Sequence, residues 1–352
     1  MSAAPQARRP APMRISIFSV QDHYPARAAE RGLDDFYRQS LDQCVLVERL
    51  GYDTFFVAEH HFHEYGAFPN PAVFLAAAAM RTTLIRLGTA IATLPFRNPL
   101  TVAEDYAMLD LISGGRVVLG VGSGYLAHEF AGFGIDGAEK RARFDEALSV
   151  LRQALAGQRI NFAGQHIRAD DVAINVPPVR PGGPPLYVAV LRKEAAYHVG
   201  RQSNRLMSVP YASVERFDDV EHLMAEFRRG REEVGAEASD DDHVLAFHCH
   251  VADTDEAARD HAAAAFDLYV ATRLYAKRQT YDDILASGLG LFGSVETVAE
   301  KLARLHAWGV RHVMLLQNFG MMPHERVAAS MTLAAERVMP RLAELIAERR
   351  AA

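Results

Sequence analysis

Eight times along the chain, a short run of β-branched, apolar or aromatic residues gives way to a stretch whose apolar residues recur at helical spacing. The runs that read as strands are Met13 to Val20, Thr54 to Ala58, Arg86 to Ala92, Arg116 to Val121, Leu186 to Val190, Arg205 to Val209, His243 to Ala252 and His312 to Leu316. Between the early strands the spacing predicts helices over Asp34 to Leu50, with Asp34 as candidate N-cap and Gly51 past the end, then Pro71 to Thr83, Thr101 to Ile112 and Lys140 to Ala156. Further helices are expected over Glu194 to Arg201, Val214 to Val234, from Thr254, from Ser294 to His306, and over Glu325 to Glu348. A Gly/Pro-rich stretch up to Pro185 carries an expected hairpin around Ile160 to Ile167.

Strands buried on both faces read as continuous apolar runs, and eight of them alternating with helices fit a single (β/α)8 TIM barrel with insertions after strands 4 and 7. A doubly wound sheet would place a glycine-rich turn after the first strand, whereas Val20 to Pro25 contains no glycine. The barrel domain is expected over residues 13–352. Residues 1–12 have two arginines and no apolar stretch, and read as a disordered leader rather than a secretory signal. Charge and composition then exclude several classes. Basic residues are dispersed and the net charge is −6, which disfavours nucleic acid. The longest apolar run, Ala72 to Met80, is nine residues, against about 20 for a membrane span. Two cysteines, Cys44 and Cys249, build no disulfide framework and are expected reduced and buried, in a cytoplasmic protein.

A barrel carries its chemistry at the C-terminal ends of its strands. The second strand ends in Glu59, His60, His61, Phe62, His63 and Glu64, an unusual concentration of titratable side chains. Neighbouring histidines on a strand face opposite ways and cannot share one ion without a bend, so no metal is expected; proton transfer by His60 or His61 fits better. The fourth strand runs into Gly120, Val121, Gly122, Ser123, Gly124 and Tyr125, which read either as a tight turn or as backbone amides held open to an anion. Arg141, Arg192 and Lys193 come after strands four and five and are candidates to meet a phosphate.

Several motifs accompany these groups. They are EHHF at Glu59 to Phe62, Asn-Pro at Asn70 and at Asn98, LGTA at Leu87 to Ala90, AED at Ala103 to Asp105, and Gly-Arg at Gly115. Further along stand HEF at His128 to Phe130, PLYVA at Pro185 to Ala189 and VMP at Val338 to Pro340. Together they resemble the bacterial luciferase-like monooxygenase family over nearly the whole chain, and the first third resembles the luciferase α subunit. The resemblance implies a barrel that binds reduced FMN (FMNH2), reacts it with O2 to a C4a-(hydro)peroxyflavin and oxygenates a small organic substrate. It assigns His60 proton transfer and Glu59 the orientation of a histidine. It places a non-prolyl cis peptide at Ala90 and Ile91, and a phosphate loop at Ser123, Gly124 and Tyr125 with Arg141. Gly122 and Ser123 stand where luciferase has a reactive cysteine and a phosphate-contacting arginine, so this chain is not expected to be a luciferase. Leu191 and Arg192 replace a Glu-Ser pair, and Arg192 is expected to compensate for the arginine missing at 123.

The resemblance further implies a separate NAD(P)H-dependent flavin reductase, a homodimer paired through the second and third helices, and a loop between Ala265 and Gly293 that closes over the flavin. That segment carries Tyr269, Arg273, Tyr275, Arg278 and Tyr281. Candidate substrate contacts are Phe18, Phe62, Tyr65, Phe68, Tyr211 and Phe319, with an apolar or carbonyl-containing substrate preferred. The alternatives are a hydride-transferring oxidoreductase that uses the deazaflavin F420, and a non-catalytic flavin-binding protein.

Overall fold

A computed structural model describes residues 13–20, 22–64, 66–272 and 279–351. The expected leader, Tyr65, Arg273, Tyr275 and Arg278 lie outside the described residues.

The strands are β1 (Arg14–Ser19), β2 (Thr54–Val57), β3 (Arg86–Thr93), β4 (Val117–Gly122), β5 (Ile160–Ala163), β6 (Arg168–Val172), β7 (Leu186–Val190), β8 (Arg205–Ser208), β9 (His243–Val251), β10 (Leu291–Gly293) and β11 (His312–Asn318). Eight of them pair in parallel in the order β1-β2-β3-β4-β7-β8-β9-β11, and β11 returns to β1 to close the barrel. The expected barrel and both its insertions are therefore present. β5 and β6 form an antiparallel hairpin outside it, and β10 adds a short strand to β9 that the apolar patterning does not single out.

The helices that fill the first half are α1 (Leu33–Leu50), α2 (Pro71–Arg81), α3 (Pro99–Ser113), α4 (Ala127–Gly132) and α5 (Lys140–Leu155). The second half carries α6 (Lys193–Arg201), α7 (Pro210–Ser213), α8 (Asp219–Glu233), α9 (Asp255–Ala271), α10 (Tyr281–Ala286), α11 (Val295–Ala307), α12 (His324–Leu333) and α13 (Met339–Ala351). The two Asn-Pro motifs explain themselves locally. Asn70 and Asn98 accept the backbone N–H of Ala72 and Leu100, while Pro at the first helical position gives up only an amide that has no partner there. Thr254 and Ser294 cap α9 and α11 as expected.

Asp34 does not cap α1. The chain enters through Gly32 in extended conformation, and Asp34 lies within the first turn, where its charge suits the helix dipole without a capping bond. The helix expected over Val214 to Val234 starts only at Asp219, because Val214 is extended and separates the short α7 from α8. The last helix is interrupted by a π turn over Ala334–Val338.

The N-terminal end of the barrel is sealed by polar side chains. His312 bonds Ser16 through Nε2 at 2.7 Å and lies 3.7 Å from Asp53, whose two carboxylate oxygens each accept from Arg86 at 2.6 Å. Burial pushes His312 well below the usual imidazole range. Arg116, the arginine of the Gly-Arg motif, donates to the carbonyls of Ala79, Thr82, Ile85 and Ser113 and so ties the end of α2 to the start of β4.

Candidate active site

At the opposite end, β2 runs out into the EHHF motif and β4 into the glycine-rich loop and α4. Glu129 of α4 is buried and joins the two. Its Oε1 lies 3.1 Å from His60 Nδ1 and accepts the backbone N–H of His61 at 2.9 Å. Burial pushes the Glu129 carboxyl up, but the hydrogen bonds from His60 and His61 outweigh it and hold the group below the usual carboxylate range. An ionised Glu129 requires the proton of His60 on Nδ1, which leaves Nε2 as the exchangeable position. The His60 side chain is 11% exposed, so that ring can be reached.

His61 is held differently. Its Nε2 lies 3.2 Å from Glu59 Oε1, its ring packs edge-on to Phe133 at 4.8 Å, and its carbonyl faces His128 Nε2 at 3.0 Å. Burial pushes Glu59 above the usual range, partly opposed by the bond from His61. His63 lies 3.0 Å from Glu64 and its ring packs on His128.

The floor beside His60 is apolar. The Ala90–Ile91 peptide is cis, and pairing of β3 with β4 shifts between Thr89 and Ala92. Ala90 and Ile91 on β3 and Ala189 on β7 are half-buried among otherwise buried neighbours, so this end of the barrel opens there. A Cβ at Gly122 would come within 2.2 Å of Ile91 Cδ1 and 3.6 Å of Ala189 Cβ, so glycine is what lets these strands meet. Gly124 takes φ 71°, and Ser123, Gly124 and Tyr125 are half-buried beside it. The Tyr125 ring stands edge-on to His60 at 6.2 Å. A planar ring system fits such a floor, and the amides of the glycine-rich loop suit a phosphate. Arg141 is exposed in the first turn of α5, paired with Asp145 at 2.8 Å, and Arg192 is exposed just before α6.

The other expected contacts divide. Tyr211 and Phe319 surround His248 near the end of β9, with ring centroids at 5.1 and 6.2 Å. Phe18 is buried in β1, and Phe62 is exposed at φ 60°. Phe68 is core: it packs on Phe74 at 4.3 Å and stacks on Tyr37 at 5.0 Å, between α1 and α2. The segment from Ala265 to Gly293 is not an open loop over its described residues. Tyr269, Tyr281, Leu289, Leu291 and Phe292 are buried in or beside α9, α10 and β10. Sequence reasoning marks HEF as a motif without giving Glu129 a task, and passes over His248 inside a run that reads as plain strand.

Residues 13–312 match the family described as luciferase-like monooxygenase. The chain belongs to that family. An uncharacterised protein of Sinorhizobium fredii is 36% identical over 182 residues, 51% of this chain and 53% of that protein. The 4-hydroxyprotoasukamycin monooxygenase of Streptomyces nodosus is 31% identical over 63% of this chain and 61% of its own. An F420-dependent glucose-6-phosphate dehydrogenase of Amycolatopsis mediterranei is 30% identical over 63% and 66%. The matched region thus spans between about half and two thirds of these curated relatives. Solved structures cover more: a Streptomyces bottropensis monooxygenase has a TM-score of 0.85 at 29% identity, over 93% of this chain and 99% of that one. The oxygenating constituent of 3,6-diketocamphane monooxygenase from Pseudomonas putida, solved with FMN, shares the fold at TM-score 0.79 and 19% identity, over 93% and 98%.

Proposed function

We propose that the protein is the oxygenating component of a two-component, FMNH2-dependent monooxygenase, supplied with reduced flavin by a separate NAD(P)H-dependent reductase. The substrate is a small organic molecule, apolar or carbonyl-containing. The observation that carries this reading is the His60–Glu129 pair beside the apolar floor of Ala90, Ile91 and Gly122. Bound reduced FMN supplies the electrons that activate O2. Ala90, Ile91 and Gly122 bear the ring system, while Ser123, Gly124 and Tyr125 with Arg141 and Arg192 hold the phosphate. His60 exchanges a proton with cofactor or substrate through Nε2, and Glu129 fixes its tautomer. Glu59 and His61 brace the turn that presents His60.

The same family includes F420-dependent dehydrogenases, so hydride transfer is the competing reading. Stopped-flow absorbance separates the two. Anaerobic protein with FMNH2, mixed with oxygenated buffer, should give an oxygen-dependent species distinct from reduced and oxidised FMN, shorter-lived in His60→Ala. Oxidised FMN appearing at its free-solution rate in both proteins would exclude the monooxygenase and leave F420 binding to be measured.

We further propose a homodimer through α2 and α3. Val73 and Met80 of α2, Leu84 just after it, and Met108, Leu111 and Ile112 of α3 are exposed apolar side chains on adjacent helices. Light scattering should give twice the 38.8 kDa chain mass, and Leu111→Glu should yield monomers; a monomeric parent at micromolar concentration overturns this.

A further inference from the structure

A second concavity opens at the sealed, N-terminal end of the barrel, in the loops that lead into β7, β8 and β9. It is a cleft of about 790 Å³, bordered by Arg152, Arg180, Arg205 and Arg231 against Glu237 and Asp242. Four guanidinium groups against two carboxylates leave an excess of two positive charges, in a chain whose net charge is −6. A positive cleft on an acidic protein is a local arrangement, not an effect of composition.

The bonding of the arginines is what gives the cleft its meaning. Arg231 is paired with Asp242 at 3.3 Å and donates to the carbonyl of Glu237, yet its Nε is buried without a hydrogen-bond partner among the described residues. Asp242 is also taken by the backbone N–H of Ser239 at 2.7 Å. The other three arginines make no ion pair among the described residues, although Arg205 is close enough to Asp242 to act on its charge. Arg152 donates to the side-chain oxygen of Asn204, Arg180 donates to the Gly115 carbonyl at 3.2 Å, and the Arg205 guanidinium stands 6.0 Å above the Tyr187 ring. Other arginines do close ion pairs with carboxylates, as Arg159 does with Asp171 and Arg341 with Glu296. Three guanidinium groups that border one cleft and close no ion pair there suit an anion with several oxygens, because each presents parallel N–H donors to a phosphate or carboxylate edge.

We propose that this cleft is a binding site for a small phosphorylated polyanion, of the size and charge of a pyrophosphate or a phosphate monoester, separate from the His60 site. Its concave form and its volume fall in the range of small-molecule sites, which favours such a ligand over a flat protein partner. The site lies on the αβ loops, at the opposite end of the strands from the glycine-rich loop, and does not depend on the flavin reading.

Titration calorimetry with inorganic pyrophosphate in low-salt buffer tests it on the full chain without flavin. A saturable site is expected whose affinity falls at least tenfold in Arg152→Gln/Arg205→Gln and is unchanged in Arg141→Gln/Arg192→Gln, apart from any second site at the flavin phosphate loop. Circular dichroism melting, with unchanged midpoints, checks that both variants fold. No saturable binding at millimolar pyrophosphate overturns the proposal, as does binding that the cleft variant retains. Binding lost in Arg141→Gln/Arg192→Gln instead would place the anion at the flavin phosphate loop and also overturn it. Loss of FMNH2 reactivity with pyrophosphate binding intact would refute the monooxygenase and leave this site standing.

Discussion

The two ends of one barrel treat histidine in opposite ways. His312 and His243 at the N-terminal end are buried, neutral and fixed: burial pushes His243 down to about 3, and its Nε2 accepts the Arg311 amide at 2.8 Å. His60 at the C-terminal end also touches a carboxylate, but it does so through Nδ1, at the edge of an opening from which its ring can be reached. The same side chain is a structural filler where it is sealed in and a reagent where a ligand can approach it. Burial, not residue type, separates the two.

The largest expected effect breaks the reactive end. His60→Ala should lower kcat by about 10²–10⁴-fold, about 3–5 kcal/mol, with reduced-flavin affinity within a few-fold of the parent. Steady-state kinetics beside a binding titration decide it, and an unaltered kcat would remove His60 from the chemistry. Asp53→Asn should break the sealed end instead. Arg86 loses its counter-charge, and urea unfolding should show a loss of about 2–3 kcal/mol with activity per folded molecule retained.

A smaller effect sharpens the comparison. Glu129→Gln keeps a hydrogen-bond acceptor and removes the charge that favours a protonated His60, so kcat should fall about tenfold and the acidic limb of the kcat/KM profile should move to lower pH. A purely structural role for Glu129 would leave that limb in place. The last prediction concerns acid. His243, His312 and His250, the last pushed down to about 4, stay neutral in the folded chain but take up protons below about 6.5 when it unfolds. Stability is therefore full above pH 6.5 and falls as pH drops, by up to ~1.4 kcal/mol per pH unit for each histidine. Urea midpoints that are flat between pH 7 and 5 would contradict this.

Much of the frame is legible because it is local. Leu186 to Val190 is a continuous apolar run and a strand with those same bounds. Asn70-Pro71 and Asn98-Pro99 carry their capping chemistry within three residues. The His60–Glu129 bond joins residues 69 apart, and nothing in the periodicity of either segment points to the other. His248 escapes notice in β9 because a strand buried on both faces gives no alternation from which to read its side. The arginine cleft is spread over four separate segments, so each arginine taken alone reads as ordinary surface.

Glu129 also constrains how this protein can be recombined with its relatives. The proton donor for Glu129 sits on the loop after β2, while the carboxylate itself travels with the insertion after β4. A chimera that takes everything from residue 123 onward from another member inherits a foreign counterpart for His60, and with it a new tautomer and a new reactivity. A crossover inside the β5–β6 hairpin exchanges only the downstream half and leaves the pair intact. The first seam that keeps this pair together therefore lies after α5, and a crossover there still exchanges Ala189 and Arg192 of the same site.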